Sequence, residues 1–321
     1  MGLWTRVRLP PNPLDGVLEE PQLRQALRRS TDAHCYEDVS IASFLGGFVI
    51  MVEECIKMNV NEFKTKLVEE LSNCNEILGI GQTGDMNAPL VAGKSDIDMF
   101  IICKSVPAKD RRIAIYGALA GMYDRLDMEV CSGGIWGYGD IFYIDGIDVM
   151  PMFFDIADMR KYIDEVMEGK RLEKEGGFYP IGRLASIETI NVLWEKDKTW
   201  TSIIEKVKLH PQELFDKWYS SEVWRIIDEE DLGRAELRHE VLFYHQVVEE
   251  FLNHFLQALY AKNRRYFPSR KRTESAIAEF ELKPENCYER LLKIVRLGSS
   301  IDTIDESIME LRKLGKELMD L

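Results

Sequence analysis

The sequence predicts an α+β fold: a small mixed β-sheet domain followed by an α-helical bundle domain. Three observations predict it. Between about residues 75 and 155, short β-branched and aromatic runs alternate with turn residues. One joint in that stretch, Asp145-Gly146, carries a strong hairpin signal. From about 156 onward apolar residues recur at helical spacing, in segments broken at Gly176-Gly177, Pro180, Pro268 and Pro284.

Taken in order, residues 1–35 read as a leader. Its Pro10–Pro13 run is expected to be extended. Residues 38–58 read as one helix capped by Asp38 or Ser40, with Gly46-Gly47 in its middle as the contrary signal. Residues 60–73 form a clearer amphipathic helix, with Asn61 as N-cap and Phe63, Leu67, Val68 and Leu71 on the apolar face. Glu76–Gly81 is then a short apolar strand leading into the polar loop Gln82–Ser95. Ile97–Cys103 is a second strand, 109–125 a helix, Val130 the opening of another strand, and Asp140–Ile144 and Ile147–Phe154 a hairpin. The remaining helices are expected at 156–169, 187–197, 199–208, 211–228, 233–262, 272–280, 285–296 and 301–320. The domain organisation this implies is a leader over 1–35, a sheet domain over 36–165 and a helical domain over 166–321.

Composition narrows the function classes. With 321 residues and 45% hydrophobic content, the chain can bury a substantial core. A formal charge of -14 disfavours a broad nucleic-acid clamp, which needs a basic face to displace counterions. The six cysteines include no C-x-x-C pair and read as reduced, mostly buried thiols. The longest apolar stretch, Ile41–Val52, is too short to span a bilayer and runs directly into Glu53 and Glu54. No secretory signal is visible, so a cytoplasmic protein with no membrane partner is expected.

The sharpest chemical feature is Gly93-Lys94-Ser95-Asp96-Ile97-Asp98, at the mouth of the apolar strand. Residues i and i+2 of a strand share a face at roughly 6–7 Å, so both carboxylates project into one site. Such pairs also occur on solvated sheet faces. A third acid tips the balance: Asp148, flanked by Ile147 and Val149, points away from those two and can meet the pair if its strand is a neighbour. Three convergent carboxylates repel one another without a cation, and hard oxygen donors suit Mg²⁺ or Mn²⁺. Asp145 is the turn residue, and Asp127 and Glu129 read as surface acids.

Ahead of the pair runs Gly79-Ile80-Gly81-Gln82-Thr83-Gly84. Glycines after a strand let backbone N–H groups approach phosphate oxygens, with Gln82 or Thr83 as an added donor. The loop is neither a Walker A motif nor a G-x-G-x-x-G turn. Strand, Gly-containing loop, Asp96-x-Asp98 strand and a third acid at Asp148 together resemble the DNA polymerase β-like nucleotidyltransferase superfamily. The helical remainder is similar to that of stand-alone members such as antibiotic nucleotidyltransferases. The basic segment Lys262–Lys271 resembles one found in an uncharacterised group of them. The resemblance implies a palm-like sheet, metal held by Asp96, Asp98 and Asp148, and transfer of a nucleoside monophosphate from an NTP, foremost ATP, with release of pyrophosphate. It implies nucleotide contacts from Gly81, Gln82, Thr83 and Ser95. One departure stands out: Gln82 occupies the place of the family's serine.

Residues 262–272 carry six Lys or Arg in an acidic chain. Arg265 and Lys271 are the candidates to neutralise a triphosphate or an acidic acceptor, against the alternative of a solvated helix end. Tyr266 and Phe267 fit a base-stacking role less well than core packing. His239-Glu240 with His245 lacks zinc-protease spacing. Glu240, Glu249 and Glu250 are the helical acids open to a general-base role. Three functions follow in order: a nucleotidyltransferase acting on an antibiotic, another metabolite, a protein side chain or an RNA end; a catalytically inactive nucleotide-sensing module; and an acidic helical partner protein.

Overall fold

The computed structural model describes residues 59–321 apart from Gly176, together with the backbone of Phe44, Leu45, Phe48 and Val49. The chain divides into two compact units, Met1–Lys57 and Met58–Leu321. In the first, β1 (Phe44–Leu45) pairs antiparallel with β2 (Phe48–Val49). The helix expected over 38–58 is therefore not formed at these four residues. The leader lies outside the described residues.

The second unit is built on a six-stranded sheet of order β5-β6-β7-β4-β3-β8. Its strands are β3 (Ile77–Gln82), β4 (Asp96–Cys103), β5 (Arg125–Ser132), β6 (Tyr138–Ile144), β7 (Ile147–Asp155) and β8 (Asn191–Glu195). Every neighbouring pair is antiparallel except β4 and β7, which run parallel. The β6–β7 turn is Asp145-Gly146, both at positive φ (49° and 76°), as a tight two-residue hairpin requires.

The sheet is buried on both faces, so its central strands read as nearly continuous apolar runs. One face carries Ile97, Met99, Ile101, Phe142, Ile144 and Val149. It is covered by α1 (Val60–Ser72), which presents Phe63, Leu67 and Leu71, and by α2 (Lys109–Tyr116). The N-cap of α1 is Asn59, whose side chain accepts from the Asn61 N–H, two residues before the cap expected from sequence. On this face Asp140, fully buried, takes a bidentate bond from Arg112 (2.8 and 3.2 Å) and further bonds from the Tyr116 hydroxyl (2.8 Å) and the Glu129 N–H (2.9 Å). A buried carboxylate with this many donors is satisfied, and it bolts α2 to the sheet.

The opposite face presents Phe100, Ile102, Met152 and Phe154 to the helical part of the chain. That part comprises α3 (Ile156–Met167), α4 (Pro180–Glu188), α5 (Thr199–Val207), α6 (Gln212–Glu222), α7 (Glu229–Arg238), α8 (Val241–Lys262), α9 (Thr273–Glu279), α10 (Cys287–Leu297) and α11 (Ile304–Asp320). The Asp155 carboxylate starts α3, accepting from Ala157 and Asp158 N–H groups (2.7 and 3.4 Å). The long α8 is the centre of this layer, with Val248, Phe251, Phe255 and Leu259 buried among its neighbours. The expected helix over 233–262 is two helices, because His239 adopts φ +51° and ends α7. The expected helix over 187–197 is instead the edge strand β8, Asn-Val-Leu-Trp-Glu, too short for a helix and rich in strand formers. Among the described residues no helix is long and apolar enough to cross a membrane.

Two glycines set how closely the helical layer approaches β3. A Cβ on Gly79 would lie 2.7 Å from Trp200 Cδ1, and one on Gly81 would lie 2.6 Å from Ile190 Cδ1. Gly79→Ala therefore overpacks a site beside the fully buried Trp200 and should cost roughly 1–3 kcal/mol, read as a lower urea midpoint at unchanged m-value. Gly117→Ala, with nothing within 4 Å of the added carbon, should be neutral in the same measurement.

Candidate functional site

The register of the parallel pair builds the site. Asp96 of β4 stands opposite Asp148 of β7, and Asp98 opposite Met150. Partners in register share a face, and alternation keeps Asp98 on that face two residues along. The three aspartates are thus on the side of the sheet that carries Phe100 and Met152, facing the helical layer rather than α1 and α2. Asp96 is exposed, while Asp98 and Asp148 are half-buried. Among the described residues no three carboxylate, imidazole or thiol groups are placed together so that they could hold a metal ion.

Asp98 is the electrostatic centre. Burial raises its carboxyl above the usual range and the neighbouring Asp96 raises it further, while Arg183 and Lys271 pull it back down. Lys271 belongs to the basic island singled out from sequence, so that island reaches the aspartates. Arg265 is not among the charges acting on Asp98. It is exposed at the end of α8, where its N–H donates to the Tyr260 carbonyl (3.0 Å).

The preceding loop is arranged differently from the sequence expectation. Gly81 and Gln82 lie inside the ladder, paired on one side with Phe100 and Met99 and on the other with Val192 and Asn191. Their peptide groups are spent on the sheet and cannot cradle a phosphate. Gln82, in register with Met99, sends its side chain to the face opposite the aspartates, where it is buried with its Oε1 unpaired. Gly81 is small because Ile190 packs on it. The free loop begins at Thr83, whose N–H donates to the Asp98 carbonyl (3.0 Å). Ser95 closes it, its Oγ accepting from the Val91 N–H (2.9 Å). The Gly93 N–H donates to the Gly146 carbonyl (2.6 Å), docking the loop on the β6–β7 hairpin beside Asp148.

The residue that sequence reasoning missed is Arg183. It lies on α4 within Pro-Ile-Gly-Arg-Leu-Ala, is 3% exposed, and sits over the Phe100 ring at 4.5 Å with Trp136, Phe154 and Phe178 around it. Burial pushes its guanidinium down to about 10. An arginine inside an otherwise apolar helical run was the available signal, since arginine is almost never buried without a partner. The helical acids and histidines are engaged elsewhere. Glu249 pairs with Arg270 (2.6 Å), His254 with Glu222 (2.6 Å), and Glu240 sits at the cap position of α8. Tyr266 and Phe267 are core residues, the former donating to the Val207 carbonyl (2.8 Å).

Comparison with known proteins bears on this layer. Residues 179–272 match the profile of a domain of unknown function, DUF4037. The DUF4037 segment carries Arg183, Arg265 and Lys271 but none of the three aspartates. Among solved structures, the chain is similar to a nucleotidyltransferase-like protein from Exiguobacterium sibiricum (10% identity, TM-score 0.42, covering 80% of this chain and 75% of that one). It is also similar to spectinomycin adenyltransferase AAD(9) from Enterococcus faecialis, solved with ATP and spectinomycin (15% identity, TM-score 0.28, covering 81% of this chain and 98% of that one). Comparison with curated proteins finds no match.

The raised Asp98 carboxyl has a measurable sign. An acid that binds its proton more tightly in the folded state stabilises the fold at low pH and loses that contribution as pH rises through its titration. In buffers free of divalent ions, Asp98→Asn should remove this loss. The variant should match the wild type at low pH and exceed it in melting temperature near neutrality, as followed by circular dichroism.

Proposed function

We propose that this protein is a divalent-metal-dependent nucleotidyltransferase, transferring a nucleoside monophosphate from an NTP, foremost ATP, to an acceptor with release of pyrophosphate. The observation that carries the reading is the common face of Asp96, Asp98 and Asp148, fixed by the β4–β7 register. Their donor chemistry fits a hard dication: three carboxylates, with Asp98 left short of positive charge by burial and by Asp96. Asp96, Asp98 and Asp148 would hold Mg²⁺ or Mn²⁺, which when bound supplies charge neutralisation at the triphosphate.

The chain's own residues do the rest. Lys271 draws a polyphosphate toward the aspartates from the helical side. Asp148 orients the attacking group. In the transfer, the acceptor's oxygen or nitrogen bonds to the α-phosphorus, the bond to the bridging α,β-oxygen breaks, and the acceptor's proton passes to a base at the site. The partial burial of Asp98 and Asp148 strengthens the charge interactions they make.

A second reading has one observation in its favour. Gln82 turns away from the acidic face and Gly81 is locked in the ladder, so the loop offers a triphosphate fewer donors than the family pattern implies. A sensor that binds the nucleotide without transferring it would tolerate this loss. Two measurements separate the readings: calorimetry with ATP and Mg²⁺, and pyrophosphate release across a panel of hydroxyl and amine acceptors. Transfer predicts release that Asp98→Asn and Asp148→Asn each lower by roughly two to three orders of magnitude, the scale of deleting one preorganised electrostatic group, with folding intact. Full turnover in Asp98→Asn sinks the catalytic assignment. Binding without release by the wild type across the panel favours the sensor.

A further inference from the structure

A cleft of about 330 Å³ opens on the aspartate-bearing face, but toward the other ends of the same strands. Its walls include Phe153, Phe154 and Asp155 from the end of β7, Gly134 and Ile135 before β6, and Tyr162 from α3, with Arg183 among them. Asp96 and Asp148 begin β4 and β7, whereas this cleft lies where β7 ends. None of the three aspartates lines it.

Arg183 makes the cleft chemically specific. Among the described residues its one hydrogen bond is from Nη2 to the Ile135 carbonyl, and it has no salt-bridge partner. Its Nε is buried without a partner, and so is the hydroxyl of Tyr162. Two of the four residues that carry such orphaned side-chain atoms among the described residues therefore line one cleft. Orphaned buried donors are rare in folded proteins because each forfeits its hydrogen bonds to water, and two on residues lining one cleft point to an absent acceptor. A cation ringed by Phe100, Trp136, Phe154 and Phe178 is desolvated, and Asp98 acts on it without forming a salt bridge.

The surrounding charges decide which anion fits. The other lining cations are already matched: Arg171 by Glu165 (3.1 Å) and Glu175 (2.7 Å), and Lys161 by Glu165 at 4.0 Å. Asp155 and Asp158 add further negative charge at the lining. This rim repels a polyanion but tolerates one carboxylate, and it welcomes an amino group on the same molecule. The volume lies at the small end of ligand pockets, roughly 300–1,000 Å³, which suits a small molecule. Aromatic and apolar walls from Phe153, Phe154, Tyr138 and Met159 suit a flat apolar body.

We infer that this cleft is a binding site for a small monocarboxylate with an aromatic or apolar body, the carboxylate taken by Arg183 and the Tyr162 hydroxyl. None of the three aspartates lines the site, although Asp98 acts on Arg183, and carboxylate binding here does not require the transfer reaction.

Calorimetry on the full chain tests it with three probes, benzoate, L-phenylalanine and inorganic phosphate, each titrated to about 10 mM, a range that captures weak binding. At least one of the two carboxylates should bind, and phosphate should bind more weakly or not at all. Tyr162→Phe keeps the ring and deletes only the hydroxyl, so it should weaken carboxylate binding about tenfold without unfolding. Arg183→Lys should weaken it further, since a lysine cannot reproduce the fork. Asp96→Asn should leave it within about twofold, which separates this site from the nucleotide reading. Absence of binding by both carboxylates, preference for phosphate, or carboxylate binding indifferent to Tyr162→Phe would each overturn the assignment.

Discussion

The parallel ladder between β4 and β7 is the constraint on which the site depends. All other described strand pairs of this sheet are antiparallel, and an antiparallel pair brings the start of one strand beside the end of the next. Only the parallel pair sets two strand starts side by side. Asp96 and Asp148 each lie at or next to the start of their strand, so this pairing makes neighbours of acids from separate stretches of chain. A parallel connection needs a long crossover, and here the chain passes through α2, β5 and β6 before it returns as β7. The docked loop at Gly93 and Gly146 then ties the two strand starts together from outside the ladder.

Much of this was legible in the sequence because period-2 alternation and turn chemistry are local. Ile97–Cys103 and the Asp145-Gly146 hairpin were readable from composition, and Asp148 could be assigned a face from its flanking Ile147 and Val149. What alternation cannot give is which strands pair and in which direction, and that information placed Asp148 beside Asp96. The same gap explains Gln82. Its sequence position suggested a loop donor, but β3 extends through it, and one more residue of ladder turns the side chain to the far face. Residues 187–197 went to a helix for a related reason. A short apolar run is ambiguous on its own, and the open edge of β3 decided in favour of a strand.

Arg183 shows the limit from the other side. A buried charge is invisible to any pattern that sorts residues into apolar and polar faces, because helix periodicity treats it as a defect. Its setting emerges only when four aromatic rings and the Ile135 carbonyl from distant parts of the chain close around it. The basic island was the easier feature, since six cations within eleven residues stand out against the acidic background. Only Lys271 of the two residues picked from it acts on Asp98.

The bare backbone of β3 at Gly79 and Gly81 works as a missing shim. With no side chain to hold Trp200 and Ile190 away, the helical layer rests on the sheet at that point and must lean across the remaining strands from there. The gap between the helical layer and β3 is then set by two absent methyl groups, with Glu195 as the ladder partner of Gly79. Evolution could widen or narrow that gap by changing β3 alone, leaving every polar group in place.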